Sequence, residues 1–145
     1  KIRFATPEIT LTSKVIDGTF PDYNRVIPAE TSTNIMLDTN ILKPALQRVS
    51  ILANEKFKGV RLDINNDKIT ISSENPEQEQ AIEEIDVEDS GASLSIGFNV
   101  SYLIDAVNAC KGELVNLGVN DENTSALITD PSDPNTKYVV MPMRL

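Results

Sequence analysis

Only two stretches of this chain have the spacing of an amphipathic helix, and that sets its architecture. Residues 40–53 place Leu42, Ala45, Leu46, Val49 and Ala53 on one stripe at 100° per residue, with Leu52 at its edge. Residues 100–111 do the same with Val100, Leu103, Ile104 and Val107. Each helix is preceded by one strand-like segment and followed by three: 32–37, then 58–64, 68–73 and 78–87; 92–98, then 113–119, 124–129 and 136–142. The order β-α-β-β-β therefore occurs twice, at about 55 residues per half, a period expected of duplicated units that pack together. The expected fold class is α+β, with two helices side by side on one face of antiparallel sheets.

The same geometry turns some residues away from the core. Ile51 falls about 180° from Leu42, and Tyr102 about 200° from Val100, so both face outward. Lys43 and Arg48 flank the outer side of the first helix. Asp38, Thr39 and Asn40 all suit an N-cap. A cap at Thr39 or Asn40 puts Pro44 near the first turn, where a missing N–H matters least. Asn99 is the expected cap of the second helix, and Gly112 its left-handed terminator. Asn65-Asn66-Asp67 is turn chemistry. Residues 130–135, with two prolines, read as an exposed loop.

Upstream, residues 2–6 and 9–16 form two short strands around Pro7-Glu8. Residues 17–28 hold two prolines, a glycine and three Asp/Asn, the composition of a crossing segment. A domain boundary is expected here, with 1–22 closing one domain and 23–145 forming the next. The chain starts at Lys1, which suggests a piece of a longer protein.

Charge and chemistry narrow the function. Histidine is absent, which removes the commonest general base and most zinc sites. Residues 1–68 carry 10 Lys/Arg and 8 Asp/Glu, whereas 69–145 carry 3 and 14, for a net charge of −9. Broad non-specific attraction to nucleic acid is therefore not expected, since it needs a local excess of Lys/Arg. The single cysteine, Cys110, excludes an internal disulfide and fits a reducing, cytoplasmic compartment. No apolar run approaches 18 residues, and no secretory signal is expected.

The last nine residues, Lys137-Tyr-Val-Val-Met-Pro-Met-Arg-Leu145, begin as a strand. Pro142 cannot donate to a ladder, so the strand ends, or runs along an edge, near Met141. Chain ends are usually polar. This one is apolar and rich in methionine, a side chain frequent on surfaces that accept several partners.

Several words of the sequence together resemble one family, the bacterial DNA sliding clamp, which is the β subunit of the DNA polymerase III holoenzyme. They are Asp17-Gly-Thr-Phe-Pro-Asp-Tyr23, Asn54-Glu-Lys-Phe-Lys-Gly-Val-Arg-Leu62, Asn75-Pro-Glu-Gln-Glu79, Gly97-Phe-Asn-Val-Ser-Tyr102 and Tyr138-Val-Val-Met-Pro-Met-Arg-Leu145. The resemblance implies the DNA clamp (processivity) fold, with this chain supplying the third domain of a subunit and residues 1–22 the closing strands and linker of the middle one. It implies a non-catalytic processivity factor of replication, without cofactor or metal. Two subunits would close into a ring around duplex DNA, engaging the clamp loader and replicative and repair polymerases.

Site residues follow from the same match. A partner-peptide pocket would use Pro21, Arg25, Val26, Asn99, Tyr102, Asn123, Ser125 and the tail residues Val139, Val140, Met141, Pro142, Met143, Arg144 and Leu145. Val139, Met141 and Met143 would alternate on one face of the terminal strand. The ring contact would centre on Ile51 and Leu52, with Glu77, Glu79, Glu83 and Glu84 facing a basic partner surface, an ordinary apolar centre with a charged rim. Lys43, Arg48 and Lys111 would make loose phosphate contacts with DNA.

Two other readings compete. Asp86, Glu88, Asp89 and Asp105 could form a metal-binding carboxylate cluster for phosphodiester hydrolysis, but their spacing matches no metal loop. A free-standing peptide-binding module would leave the outward Ile51 and its acidic neighbours without a purpose.

Overall fold

A computed structural model describes all of residues 1–145. The first unit is a hairpin of β1 (Ile2–Ala5) and β2 (Thr10–Ser13), paired antiparallel with Phe4 opposite Leu11. It is a sheet of its own and all its residues are exposed. Residues 14–32 follow with one 3-10 turn, Tyr23–Arg25, capped by Asp22.

The remainder contains the expected duplication. The first half is β3 (Thr33–Asp38), α1 (Thr39–Ser50), β4 (Gly59–Asn65), β5 (Lys68–Glu74) and β6 (Gln80–Asp86). The second is β7 (Ser93–Asn99), α2 (Val100–Ala109), β8 (Leu114–Val119), β9 (Ala126–Asp130) and β10 (Asp133–Val140). The halves do not form separate sheets. One sheet runs β10-β9-β8-β3 and the other β6-β5-β4-β7, all neighbours antiparallel. Each half thus gives its first strand to the sheet of the other.

Alternation along the strands builds one core between these sheets and the two helices. Val60, Leu62 and Ile64 of β4, Ile96 and Phe98 of β7, and Val115, Leu117 and Val119 of β8 point inward. They meet Leu42, Leu46 and Val49 of α1 and Leu103 and Val107 of α2. The helices lie side by side and antiparallel: the Ser50–Ile51 end of α1 shares a depression with Val100, Ser101 and Ile104. The buried Ser73 hydroxyl donates to the Val49 carbonyl at 2.6 Å and ties α1 to β5.

Four local expectations are corrected. The cap of α1 is Asp38, whose Oδ1 accepts the Asn40 N–H at 2.7 Å. Pro44 therefore lies one or two residues deeper than expected. The acceptor that its missing N–H would have used belongs to the exposed Asn40, so the loss is tolerated. The α1 helix stops at Ser50, with Ile51 as its C-cap. The α2 helix stops at Ala109, and Cys110 turns extended. Gly112 is therefore not a left-handed terminator. It is small because a Cβ there would press on the Asp130 carboxylate at 2.6 Å. Finally, 130–135 is not an open loop. Asp130 is 2% exposed, and Asp133 already pairs back with it to start β10.

Asp130 closes that hairpin from inside. Its Oδ2 accepts the N–H groups of Lys111 and Gly112 at 2.8 and 2.9 Å. Its Oδ1 accepts the N–H and hydroxyl of Ser132 at 2.8 and 2.6 Å. These bonds, led by that of the Ser132 hydroxyl, lower its pKa to about 2, because each favours the carboxylate over the neutral acid.

Candidate functional site

The terminal stretch starts as a ladder strand and then leaves it. Val139 pairs with Leu127 and Val140 with Ala126, and Val140 is buried. Pro142 has no N–H with which to extend the ladder, and β10 ends two residues before it. The chain then crosses to the second sheet. The Met143 N–H donates to the Gly97 carbonyl of the edge strand β7 at 2.8 Å. The Leu145 side chain lies against Gly59 and Gly97 on the outer face of that sheet. The expected alternation of Val139, Met141 and Met143 therefore holds only as far as the strand does.

The tail brings most of the expected pocket residues to one end of the molecule. The Ser125 hydroxyl lies 2.8 Å from the sulfur of Met141, which is 64% exposed. Tyr102 is 60% exposed and lines a depression with Asp105, Ala106 and the β10 residues Lys137, Tyr138, Val139 and Val140. Asn123 lines a second, more polar depression with Arg61, Glu122, Met143, Arg144 and Leu145. Asn99 is the N-cap of α2, its Oδ1 accepting the Ser101 N–H at 2.9 Å. That bond fixes the first turn from which Tyr102 projects.

Pro21, Arg25 and Val26 are exposed on the segment that follows the hairpin. Arg25 pairs locally with Asp22 at 3.6 Å and makes no ion pair or side-chain hydrogen bond with the tail. Missed at the level of sequence were Gly59, Gly97, Arg61 and Glu122. Two of these carried a signal: a glycine inside a strand often marks a close backbone approach.

The second surface lies at the C-terminal end of α1. Ile51 is 77% exposed and Leu52 half-buried. The acidic residues divide. Glu83 points toward α1, where its two oxygens accept Arg48 Nε and an Arg48 terminal nitrogen at 2.6 and 2.8 Å. This bidentate pairing raises the Arg48 pKa and lowers that of Glu83. Glu84, on the opposite face of β6, accepts Lys68 at 3.0 Å. Glu79 is held by Asn75 at 2.7 Å, and Glu77 is exposed without an ion-pair partner. Arg48, assigned to DNA, and Glu83, assigned to a partner subunit, thus satisfy each other within the chain. Lys43 and Lys111 carry no ion pair.

The carboxylates Asp86, Glu88, Asp89 and Asp105 are not gathered into a metal site, and no three acidic or cysteine side chains converge on one point.

Comparison with known proteins gives the family. Residues 24–144 match the model of the DNA polymerase III beta subunit, C-terminal domain. The Beta sliding clamp of Pseudomonas putida is 47% identical over 99% of this chain, which spans 39% of that protein. The crystal structure of the DNA polymerase III subunit beta from Pseudomonas aeruginosa superposes with a TM-score of 0.88 at 46% identity, over 99% of this chain and 39% of that one. The Caulobacter crescentus pol III beta structure gives 0.87 at 40%, over 94% and 37%. The chain thus spans about two fifths of the length of these relatives, and its helices and antiparallel sheets have the fold of the sliding clamps. By its sequence and its fold, the chain belongs to the DNA polymerase III beta subunit family, to the part that forms the C-terminal domain.

Proposed function

We propose that this chain is the C-terminal domain of a replication processivity clamp, with residues 1–22 belonging to the domain before it. Two subunits would close a ring around duplex DNA in the cytoplasm and tether the polymerase by topology. The clamp does no chemistry of its own. Such a tether needs no strong DNA affinity, which is compatible with a net charge of −9. Lys43 and Lys111 remain available for loose phosphate contacts, while Arg48 would have to exchange Glu83 for a phosphate. Ile51 and Leu52, beside the acidic edge strand β6, would meet the partner subunit.

The observation that carries the reading is the cluster at the tail. Tyr102 and Val139 line one depression, Met143 and the cation Arg144 line another, and the exposed Met141 lies on the chain between them. This arrangement suits an extended peptide with Leu and Phe anchors, of the kind carried by the clamp loader and by replicative and repair polymerases. Arg144 would hydrogen-bond the peptide. The exposed apolar face of the β1–β2 hairpin supports a further wall from the preceding domain.

The test is a titration of a labelled peptide, Gln followed by Leu and Phe anchors, against the full-length protein. Removing 141–145 abolishes binding and leaves the fold intact. Unchanged affinity after that truncation refutes the pocket.

A further inference from the structure

Gly59 opens β4 opposite Asn99 and Gly97 sits within β7 opposite Arg61, in paired strand where glycine contributes no side chain to packing. Neither adopts a positive φ, so conformational freedom does not explain them. Both face outward. Val60 and Leu62 flank the outward Arg61 and point to the core, as do Ile96 and Phe98 on either side of Gly97. What covers them is the chain's own end. A Cβ on Gly97 would overlap the Met143 carbonyl oxygen and press on Leu145 Cγ at 2.9 Å. A Cβ on Gly59 would overlap only the tip of the Leu145 side chain.

We infer that Gly59 and Gly97 are positioning residues for partner-peptide binding: together they form a side-chain-free seat that holds residues 143–145 flat on the sheet and so fixes Met141 and Arg144 at the pocket. The inference rests on the pocket reading above. The single backbone bond from Met143 to Gly97 is the only hydrogen bond of the last four residues to the rest of the chain, so the seat does most of the holding. The two glycines differ in a way that makes the idea testable. Gly97 lies under backbone, which trimming a tail side chain cannot relieve. Gly59 lies under a flexible side chain, which such trimming does relieve.

The experiment uses the full-length protein, the same labelled peptide and four variants: Gly97→Ala, Gly59→Ala, Leu145→Ala and Gly59→Ala with Leu145→Ala. Peptide affinity, thermal midpoint and the methionine methyl NMR signals of Met141 and Met143 are read for each. Gly97→Ala weakens peptide binding about tenfold or more, with both methionine signals shifted and the thermal midpoint close to that of the parent. Gly59→Ala weakens it about threefold, and that effect vanishes when Leu145 is already alanine, as a double-mutant cycle for two groups in contact requires. Parent-like affinity in Gly97→Ala with its methionine signals shifted overturns the inference. So does a Gly59→Ala effect that persists beside Leu145→Ala. If Gly97→Ala lowers the thermal midpoint, the Gly59–Leu145 cycle alone decides. Removal of 141–145 separates the two claims. If truncation abolishes binding while the glycine variants bind normally, only the seat is wrong. If truncation changes nothing, the pocket is wrong.

Discussion

Leu46→Ala tests whether the two sheets share one core. Leu46 is 1% exposed on the inward stripe of α1 and borders a void of about 20 Å³ lined by residues of both helices and both sheets. The substitution removes three carbon atoms, about 2 kcal/mol of transfer free energy at roughly 0.8 kcal/mol per methylene. The emptied volume merges with the existing void and cannot collapse without moving both sheets, so the cavity term brings the total to about 4 kcal/mol. A urea slope of about 2 kcal/mol/M converts this to a fall in midpoint of about 2 M. Ile41→Ala on the outer side of the same helix, 53% exposed, shifts stability by less than about 0.5 kcal/mol. Hydrogen exchange in the Leu46→Ala protein should show amides of β5 and β9 losing protection by the same factor, though they lie in different sheets. A midpoint shift below about 0.5 M, or one sheet losing protection while the other keeps it, would refute the shared core.

Three further outcomes are expected. Asp130 titrates at about 2 in the folded chain against an ordinary 3.8, so its contribution is complete above about pH 4 and is lost as pH falls through about 2. Urea midpoints of the parent and of Asp130→Asn, whose amide turns donors toward N–H groups, should therefore converge over that window and differ by a constant amount above it. Asn99→Ala should cost about 1 kcal/mol of stability through the lost cap. Asn99→Asp should keep both the cap and peptide affinity, and a large loss of affinity in Asn99→Asp would mean that Asn99 touches the peptide directly. Ile51→Ala with Leu52→Ala should shift full-length protein from dimer to monomer in sedimentation at micromolar concentration, with an unchanged thermal midpoint of the monomer; an undiminished dimer removes this surface from the ring contact.

Much of the fold was legible because its signals are local. The stripe of Leu42, Ala45, Leu46 and Val49 defined α1, Asn99 marked the start of α2, and Pro142 marked the end of β10. What was not legible depended on residues far apart in sequence. Gly112 looked like a helix terminator because the carboxylate that crowds it comes from Asp130 on another strand. Arg48 and Glu83 looked like free charges on two surfaces because 35 positions separate them before the chain folds. Where the tail goes after Pro142 was not legible, because nothing in it announces that its next acceptor is the Gly97 carbonyl on the other sheet. Pattern gave the elements, and pairing between elements decided which polar groups remained free.

The exchange of first strands between the two halves has a consequence for the chain's integrity. Six residues of β3 pair with β8, and seven of β4 with β7, so the halves are laced together along two complete edges. A single β-α-β-β-β unit would expose one unpaired edge and half a core, and could satisfy both only by lending its first strand to a twin. Two such units joined in one chain have the connectivity of a strand-swapped homodimer with one covalent link. Cutting the backbone between β6 and β7 should leave the two fragments associated, since the cleaved link carries none of the lacing. A domain laced in this way should hold together after losing a peptide bond there.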